Sequence, residues 1–521
     1  MRNAMGAKTW GSACLVASLA LTGCGAVLGA AQSQTKRSGL VQQAQRRGPA
    51  IKRQGFTPKW VKDAVFYQIF PERFANGSRA NDPAGAQPWG GKPEYENFFG
   101  GDLAGVKAKI PYLKSLGINA VYFNPLFKAS SNHKYNTADY MQIDPAFGTN
   151  ADFKATLDAL HAAGIRVLLD GVFNHTGDDH PFFLDCKQNG PQSPYWSYYS
   201  IWGFPVVTSP KPNYNAWWGF GTLPQLTAAR NRKVQEYLFD VTEYWTRQGI
   251  DGWRLDVPNE IDNADFWREW RRRVRAINPE AYIVGEIWED GSQWLQGDQF
   301  DAVMNYVGRS AILDFFAYRK SSVDDLDARQ SSLRRHYGQE VTEASFNILG
   351  SHDVARVRTE AGGDLVRTKE ALLYMFTQPG APVIYYGDEI GMLGGKDPDN
   401  RRCFPWEEAN EGNDMLRFVK RLVALRKSNP ALRGGEVRTL MRHNHYRQFV
   451  FARADQGQQV VVAMNSGDET RDLAFSVGQI YPEGTRLRDL LSRRTVTVVG
   501  GSVRLDKLEA HQTAILAPET R

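Results

Sequence analysis

The stretch Gly252-Trp253-Arg254-Leu255-Asp256-Val257 decides the fold prediction for this chain of 521 residues. Its apolar residues predict a short buried strand. Because side chains alternate between the two faces of a strand, Arg254 and Asp256 point to the same side. The strand therefore carries two charged groups on one face, and the fold around it decides which other groups join them.

Short apolar runs alternate with longer amphipathic stretches on both sides of this strand, and such alternation predicts parallel β/α units. Eight strands spread over about 330 residues fit an α/β fold, the TIM (β/α)8 barrel with insertions, in which functional residues lie at the C-terminal ends of the strands. The eight predicted strands are residues 64–70, 119–123, 166–173, 252–257, 282–287, 302–306, 346–349 and 382–386.

Two further regions complete the predicted organisation of the chain. Residues 174–226, after the third strand, show no clear helix and contain many aromatic residues, which predicts a small irregular insertion subdomain that walls the site. Residues 433–521 alternate short apolar runs with turn residues, which predicts an all-β C-terminal domain, a β-sandwich. The barrel itself is expected to occupy residues 59–432.

The formal net charge of +6 has its origin at the N-terminus. Residues 1–56 hold eight Lys or Arg and no acidic residue, which leaves a net charge of −2 for residues 57–521. A nearly neutral body has no basic surface that calls for a phosphate partner. We therefore expect no nucleic-acid binding.

The same N-terminal region resembles an export signal, because two basic residues precede an apolar run, about residues 13–21, that is too short to span a bilayer. The run ends in Leu21-Thr22-Gly23-Cys24, which resembles a bacterial lipobox; an ordinary secretory signal cut near Ala30 is the alternative. We predict a lipoprotein-type signal in residues 1–24 and a flexible basic tether in residues 25–58. The protein is then exported and lipid-anchored to a bacterial membrane, at the outer membrane or cell surface, or is otherwise periplasmic or secreted.

Two cysteines, Cys186 and Cys403, lie beyond the predicted signal. Export permits a disulfide between them, but two distant cysteines do not form a framework, and we expect both to be free and buried. No Cys/His cluster has the spacing of a zinc site.

Acidic residues lie at the ends of four predicted strands, which meet at one mouth in a parallel barrel. They are Asp170, Asp256, Glu286 and Asp353. Crowded carboxylates repel unless a cation offsets them, and Arg254 is the natural offset, which would keep Asp256 ionised. Such a set suits glycoside hydrolysis, in which one carboxylate attacks the anomeric carbon and a second acid protonates the leaving oxygen. Metal-assisted hydrolysis and structural salt bridges are the alternatives.

Four segments at the strand ends form a recognisable set. They are Asp170-Gly171-Val172-Phe173-Asn174-His175, Gly252-Trp253-Arg254-Leu255-Asp256, Gly285-Glu286-Ile287-Trp288 and Leu349-Gly350-Ser351-His352-Asp353. This set resembles the four conserved regions of the α-amylase family of glycoside hydrolases, over about residues 60–520. Further markers, residues 66–74, 131–135, 257–260 and 385–391, are most similar to the neopullulanase, cyclomaltodextrinase and maltogenic amylase group.

The resemblance implies a retaining mechanism and a role for each site residue. Asp256 would be the nucleophile, Glu286 the general acid and then the base, and Asp353 the group that holds sugar hydroxyls and stabilises the transition state. The carboxyl groups of Asp256 and Glu286 should then lie about 5–5.5 Å apart. Arg254 would position Asp256 with support from Asp170, the sugar contacts would come from Tyr135, His175, His352, Asp397 and Arg401, and Asn259 and Glu260 would face the leaving sugars.

A structural calcium site is also implied by the resemblance, with no organic cofactor. Carboxylate, amide and carbonyl oxygens are the ligands that Ca²⁺ prefers. Ser78 stands where the family usually has Asp, and one lost charge should weaken binding; an ordinary polar turn is the alternative. The implied ligand residues are Asn76, Ser78, Asn81, Asp82, Gly100 and Asp102.

Several positions depart from the pattern of the group. Only the predicted tether precedes the barrel, whereas the group carries an N-terminal β-domain that supports a dimer, so we expect a monomer with a more open cleft. Thr227, Asn136 and Pro258 stand where Asn, Asp and Ala are usual. None belongs to the acidic triad, so these departures bear on fine specificity.

The resemblance implies hydrolysis of α-1,4-glucosidic bonds in starch, maltooligosaccharides and related α-glucans. A cyclomaltodextrinase or neopullulanase that acts on cyclodextrins and pullulan is the runner-up, and Glu260 is compatible with both. A glucan transglycosylase uses the same triad and stays open. A binding protein without catalysis is disfavoured, because all three triad carboxylates are present. The expected partner is an α-glucan, with membrane contact only through the lipid anchor.

Overall fold

A computed structural model describes residues 52–519 of the chain. Eight parallel strands form a nearly closed barrel, and the bridge between Met304 and Phe346 joins its first and last members in the sheet order. The predicted α/β barrel is therefore confirmed, and each of its eight strands falls within or next to a predicted run. The barrel strands are β1 (Phe66–Ile69), β2 (Ala120–Phe123), β5 (Arg166–Gly171), β6 (Gly252–Leu255), β7 (Tyr282–Gly285), β8 (Ala302–Val303), β9 (Phe346–Ile348) and β10 (Ala381–Tyr385), with the hairpin β3 (Phe127–Ala129) and β4 (Thr137–Ile143) after β2.

The strand residues divide into two cores, as alternation along a strand requires. In β1, Phe66 packs inside the barrel, whereas Tyr67 packs outside it against the helices. In β2, Tyr122 lies inside and Val121 outside. Because both faces are covered, these strands are apolar runs without polar positions on an exposed face.

Helices follow the barrel strands, and most of them begin at a side chain that accepts from free backbone N–H groups. Thr149 and Asp152 form a capping box, and Asn263 accepts from the backbone of Asp265 and Phe266. These caps fix where the capped helices begin. The helices are α1 (Pro71–Phe74), α2 (Leu103–Ala108), α3 (Ile110–Leu116), α4 (Asn150–Ala162), α5 (Pro181–Asn189), α6 (Arg232–Arg247), α7 (Ala264–Ile277), α8 (Tyr306–Ile312), α9 (Val323–Ala344), α10 (Val357–Glu360), α11 (Leu365–Thr377) and α12 (Asp414–Ser428).

The insertion after β5 differs from the prediction in one respect, because it contains the helix α5. Pro181 at its first position and the His180 side chain, which accepts from the backbone of Phe182, start this helix. Its apolar side is short and is carried by Phe183 and Cys186, so the sequence has little helical periodicity to detect. The rest of the insertion is irregular, and the backbone of Leu226 returns to Asn174 at 2.9 Å.

The C-terminal region is all-β, as predicted. A six-stranded sheet and a two-stranded sheet enclose an apolar core of their own. Two fully buried arginines, Arg426 of α12 and Arg453, fasten this region to the barrel by donating to main-chain carbonyls, including that of Leu432, which both contact. The strands are β11 (Glu436–His443), β12 (Gln448–Asp455), β13 (Gln458–Asn465), β14 (Arg471–Ser476), β15 (Arg486–Asp489), β16 (Thr495–Thr497), β17 (Ser502–Leu508) and β18 (Gln512–Pro518).

The predicted signal, the predicted lipidation residue Cys24 and most of the predicted tether lie outside the described residues. The described end of the tether contacts the barrel, since the backbone N–H groups of Gly55, Phe56 and Thr57 all donate to Glu340. Between residues 52 and 519, no helix is long and apolar enough to cross a membrane. Cys186 and Cys403 are both free and buried, as predicted.

Candidate active site

The four predicted acidic residues meet at the C-terminal end of the barrel. Asp170 is the penultimate residue of β5, Asp256 directly follows β6, and Glu286 directly follows β7. Asp353 lies in the loop after β9. Parallel strands end at one edge, so the barrel brings together residues that are far apart in the sequence.

Arg254 lies at the centre of these groups with no exposed surface. Its Nη1 donates to Asp256 Oδ1 at 3.0 Å and to both oxygens of Asp170 at 2.9 and 3.0 Å. Its Nη2 lies 2.8 Å from Glu286 Oε2 and 4.0 Å from Asp353 Oδ2. One guanidinium therefore contacts the predicted nucleophile and the predicted general acid together.

Tyr135 and His352 form the second layer of contacts around Asp170. The Tyr135 hydroxyl donates to Asp170 Oδ2 at 2.8 Å and lies 2.5 Å from His352 Nε2, and the two rings stack within 2° of parallel. The Gln68 amide donates to His352 Nδ1 at 2.8 Å, so the proton of the neutral ring lies on Nε2, facing Tyr135 and Asp353. Burial, together with Arg401 and Arg254, lowers the pKa of His352 well below its usual value, which keeps the ring neutral.

The protonation of the carboxyl groups is governed by burial more than by Arg254. Burial raises the pKa of Asp256 well above its usual value; Arg254 opposes this rise, while the carboxyls of Glu286, Asp170 and Asp353 add to it. Burial and Glu286 raise the pKa of Asp353 to about 7. Arg254 favours the ionised form of Asp256, as expected from the sequence, and desolvation, which that expectation left out, works against it.

Glu286 is held by one ion pair and two hydrogen bonds. Besides Arg254, the backbone N–H of Val257 donates to its Oε2 at 3.1 Å, and the indole of Trp288 donates to its Oε1 at 3.1 Å. Val257 has φ 34° and ψ 50°, a left-handed conformation that is costly for a β-branched residue. This strained turn directs its N–H towards Glu286 immediately after Asp256.

The other predicted sugar contacts lie on two sides of this centre. Arg401 Nη1 pairs with Asp397 at 3.0 Å, and its Nη2 lies 3.8 Å from Asp353. Asn259 and Glu260 are exposed in the short 3-10 helix that follows Val257.

His175 joins the site through the main chain, because its Nε2 lies 3.2 Å from the carbonyl of Tyr135. Its ring stacks on Trp217 of the insertion at 5.7 Å. Burial lowers the pKa of His175 to about 4, so this ring is also neutral at pH 7. The triad, its supporting residues and the sugar contacts other than Asn259 and Glu260 are thus connected by contacts at one mouth of the barrel.

The arrangement at this mouth agrees with the comparison to known families. The catalytic-domain model of alpha amylase matches residues 68–435. The chain belongs to the alpha-amylase family of glycoside hydrolases. The C-terminal domain described as neopullulanase-like matches residues 443–515. These matches account for the barrel and for the all-β region of this alpha-amylase family member.

Curated relatives within the alpha-amylase family share up to half of the aligned residues. The maltogenic alpha-amylase of Bacillus acidopullulyticus is 50% identical over 377 residues, 72% of this chain and 64% of that protein. The cyclomaltodextrinase of Geobacillus thermopakistaniensis is 46% identical over 422 residues, 81% of this chain and 71% of that protein. The chain therefore spans about two thirds of the length of these relatives.

Solved structures support the same assignment. The cyclic alpha-maltosyl-(1→6)-maltose hydrolase of Arthrobacter globiformis superimposes with a TM-score of 0.81 and 37% identity, covering 89% of this chain and 100% of that one. A crystal structure of a Thermus thermophilus protein superimposes with a TM-score of 0.83 and 42% identity, covering 88% of this chain and 100% of that one.

Three residues of this alpha-amylase family site were missed by the sequence analysis. Gln68 orients His352, the Tyr122 hydroxyl donates to Asp170 at 2.5 Å, and the Trp288 indole donates to Glu286. Gln68 on β1 and Tyr122 on β2 are polar residues within apolar strands, and their side chains point into the barrel. This pattern was the sequence signal that could have identified them. Trp288 lies two residues after Glu286, in one of the four segments that resemble the family pattern, but no role was predicted for it.

The predicted calcium residues lie together in one loop cluster. Asn76 Nδ2 donates to Asp82 Oδ1 at 2.7 Å, and a Cβ on Gly100 would collide with the same oxygen. Asp102 accepts from the backbone of Gly77 and Ser78, both at 2.9 Å. Asn81 donates to the carbonyl of Ala146 at 2.7 Å. In residues 52–519, no three His, Cys, Asp or Glu side chains are arranged to hold a metal ion, so this cluster offers two carboxylates plus neutral oxygens.

Replacing Asp353 by Asn should stabilise the folded protein at alkaline pH. The pKa of Asp353 is raised from 3.8 to about 7, so the folded state binds this proton more tightly than the unfolded chain. The contribution of Asp353 to the free energy of unfolding therefore falls as the pH rises from 4 towards 7, and Asn removes this fall. We expect Asp353→Asn to raise the melting temperature at pH 8 by about 1–3 °C, with a smaller difference at pH 5.

Thermal melts of both proteins between pH 5 and pH 8 measure this effect. Asp265→Asn is the matched control, because its side chain is 90% exposed, and it should leave the melting temperature unchanged. An Asp353→Asn protein that is no more stable than wild type at pH 8 contradicts the prediction.

Proposed function

We propose that the protein is a retaining hydrolase of α-1,4-glucosidic bonds in starch, maltooligosaccharides and related α-glucans. The contact of one guanidinium, that of Arg254, with both Asp256 and Glu286 carries this proposal. This shared contact supports a close pair of carboxyl groups at the mouth of the barrel, one acting as nucleophile and the other as acid. Retaining glycosidases need such a close pair, whereas inverting enzymes leave room for a water molecule between the two carboxyls.

In the first step, a carboxylate oxygen of Asp256 attacks the anomeric carbon of the glucosyl unit. The bond to the leaving oxygen breaks as Glu286 gives its proton to that oxygen. Asp256 then carries the sugar as a β-linked ester, and the leaving chain departs as a neutral alcohol. Arg254 bonds to the Asp256 carboxylate before the attack and stays close to the new ester afterwards.

In the second step, Glu286 is a carboxylate and takes a proton from water. That water attacks the anomeric carbon, the ester bond breaks, and Asp256 regains its charge. Two inversions leave the product with the α configuration of the substrate. Asp353 and the neutral His352 face the same sugar and accept or donate hydrogen bonds to its hydroxyls during both steps.

A cyclomaltodextrinase or neopullulanase is the second candidate, favoured by the names of relatives that are 45–46% identical to the chain. Such an activity would use the mechanism described above on cyclodextrins or pullulan. Initial rates on starch, pullulan and cyclodextrins, measured at equal concentrations of glucose units, separate the two candidates. Transfer to a second sugar instead of water would appear as products longer than the substrate.

Replacing Asp256 by Asn and Glu286 by Gln tests the proposed roles. Each variant keeps the shape of the side chain and removes the nucleophile or the proton donor, so kcat on a linear maltooligosaccharide should fall by about 10⁴-fold or more. Asp265→Asn, on the surface of α7, should keep wild-type activity.

The configuration of the first product is the companion measurement. Proton NMR during the first turnovers of wild-type protein should show the α anomer before mutarotation. First appearance of the β anomer would contradict retention, and full activity of Asp256→Asn would contradict the assignment of the nucleophile.

We also propose that the cluster of Asn76, Asp82, Gly100 and Asp102 binds a structural Ca²⁺. Support comes from the close approach of Gly100 to Asp82, where any side chain would fill the space beside the carboxylate. Asp102 is engaged by backbone N–H groups, so it holds the loop and leaves much of the cation contact to Asp82 and neutral oxygens. This ion would stabilise the loop and take no part in the chemical steps.

Asp82→Asn should remove the effect of calcium on stability. Wild-type protein stripped with chelator should gain melting temperature when Ca²⁺ is added at about 1 mM, by about 1–4 °C, because a ligand bound only by the folded state stabilises it. The variant should show no gain. An equal response of both proteins, or no response of the wild type, would contradict calcium binding at this cluster.

A further inference from the structure

Tyr95 joins two loops at one end of the cleft. Its ring is 63% exposed, yet its hydroxyl donates to the carbonyl of Asp397 at 3.1 Å. A tyrosine on an open loop usually turns its hydroxyl to water, so this bond fixes the ring at the rim of the site. Burial and the Asp397 carboxyl raise the pKa of Tyr95, which keeps the hydroxyl as a donor.

The backbone under Tyr95 is held by a buried side chain. The amide of Asn132, 3% exposed, donates to the carbonyls of Tyr95 and Asn97 at 3.0 and 2.8 Å. Asn132 lies three residues before Tyr135, so one short segment positions both tyrosines. The Asn97 amide closes the loop by donating to the carbonyl of Lys92 at 2.8 Å.

A chain of contacts connects Asp353 with Tyr95. Asp353 faces Arg401 at 3.8 Å, and Arg401 pairs with Asp397, whose carbonyl holds Tyr95. Glu286, which protonates the leaving oxygen, is bonded to the backbone of Val257 and has no part in this chain of contacts. We therefore assign Tyr95 to the end that holds the sugars retained on the enzyme.

One carboxylate oxygen at this end lacks a hydrogen bond within residues 52–519. Asp353 Oδ2 is a buried atom that accepts none, with Arg254 Nη2 4.0 Å away, whereas Asp397 Oδ1 has only its ion pair with Arg401 Nη1 at 3.0 Å. Buried acceptors without donors are unfavourable unless a ligand supplies them. Successive sugar hydroxyls along a glucan chain would do so, one ring at Asp353 and the next at Asp397.

We propose that Tyr95 is the end wall for the retained part of the substrate and thereby sets the product length. The ring covers the second sugar beside Asp397 and blocks a third, so that maltose is the main product. This inference rests on the proposed function and deepens it, because hydrolysis of α-glucans alone does not fix the length of the product.

Early products from linear maltohexaose test the wall. Tyr95→Ala should raise the maltotriose-to-maltose ratio at least about fivefold, since contacts of this size change substrate discrimination by such factors. Total bond cleavage should stay within about threefold of wild type, because Tyr95 touches none of the reacting atoms. Tyr95→Phe keeps the ring but loses the hydroxyl bond that fixes it, so its ratio should lie between those of wild type and Tyr95→Ala.

Lys92→Ala is the matched control, since Lys92 is an exposed residue of the same loop, and its ratio should equal that of wild type. An unchanged ratio in an active Tyr95→Ala protein overturns the inference and leaves the proposed function intact. Equal ratios for Tyr95→Phe and Tyr95→Ala overturn the role of the ring. A wild-type protein that cleaves no α-glucan contradicts the proposed function and this inference with it.

Discussion

The buried guanidinium of Arg254 is the interaction on which the rest of the site depends. The carboxyl groups of four acidic residues face it within 4.0 Å. One positive charge cannot neutralise four negative ones in a place with little water. Burial first, and the neighbouring carboxyls after it, raise the pKa values of Asp256 and Asp353, and Arg254 opposes the rise at both, so the guanidinium favours the carboxylate that the nucleophilic attack requires.

The barrel fold brings the charged groups together, and its stability offsets the unfavourable repulsion between them. Parallel strands deliver Asp170, Asp256 and Glu286 to one edge, where an ordinary protein surface would spread such groups apart. The left-handed turn at Val257 is a second unfavourable feature at the same place, and it directs a backbone N–H to Glu286. The apolar cores inside and outside the barrel provide the stability that allows both features to persist.

The barrel and its four acidic residues could be predicted from sequence, because strand periodicity and short motifs are local signals. The direction of the Asp256 pKa could not, since it depends on how deeply the folded barrel buries that carboxyl. The helix Pro181–Asn189 was missed because its apolar face is only two residues long. The role of Tyr95 could not be predicted, because its contact with Asp397 joins residues 302 positions apart in the sequence and no local pattern encodes a contact of that separation.

The pH profile of kcat/KM in Arg254→Met protein tests the central claim most directly. The acid limb of this profile reports the carboxyl that must be ionised in the free enzyme, and Arg254 lowers the pKa of Asp256 in that state. Removing the guanidinium should move the acid limb to higher pH by about one unit or more and lower kcat by about 10²-fold or more, because one buried charge–charge contact is lost. An acid limb that stays at its wild-type pH would contradict the account.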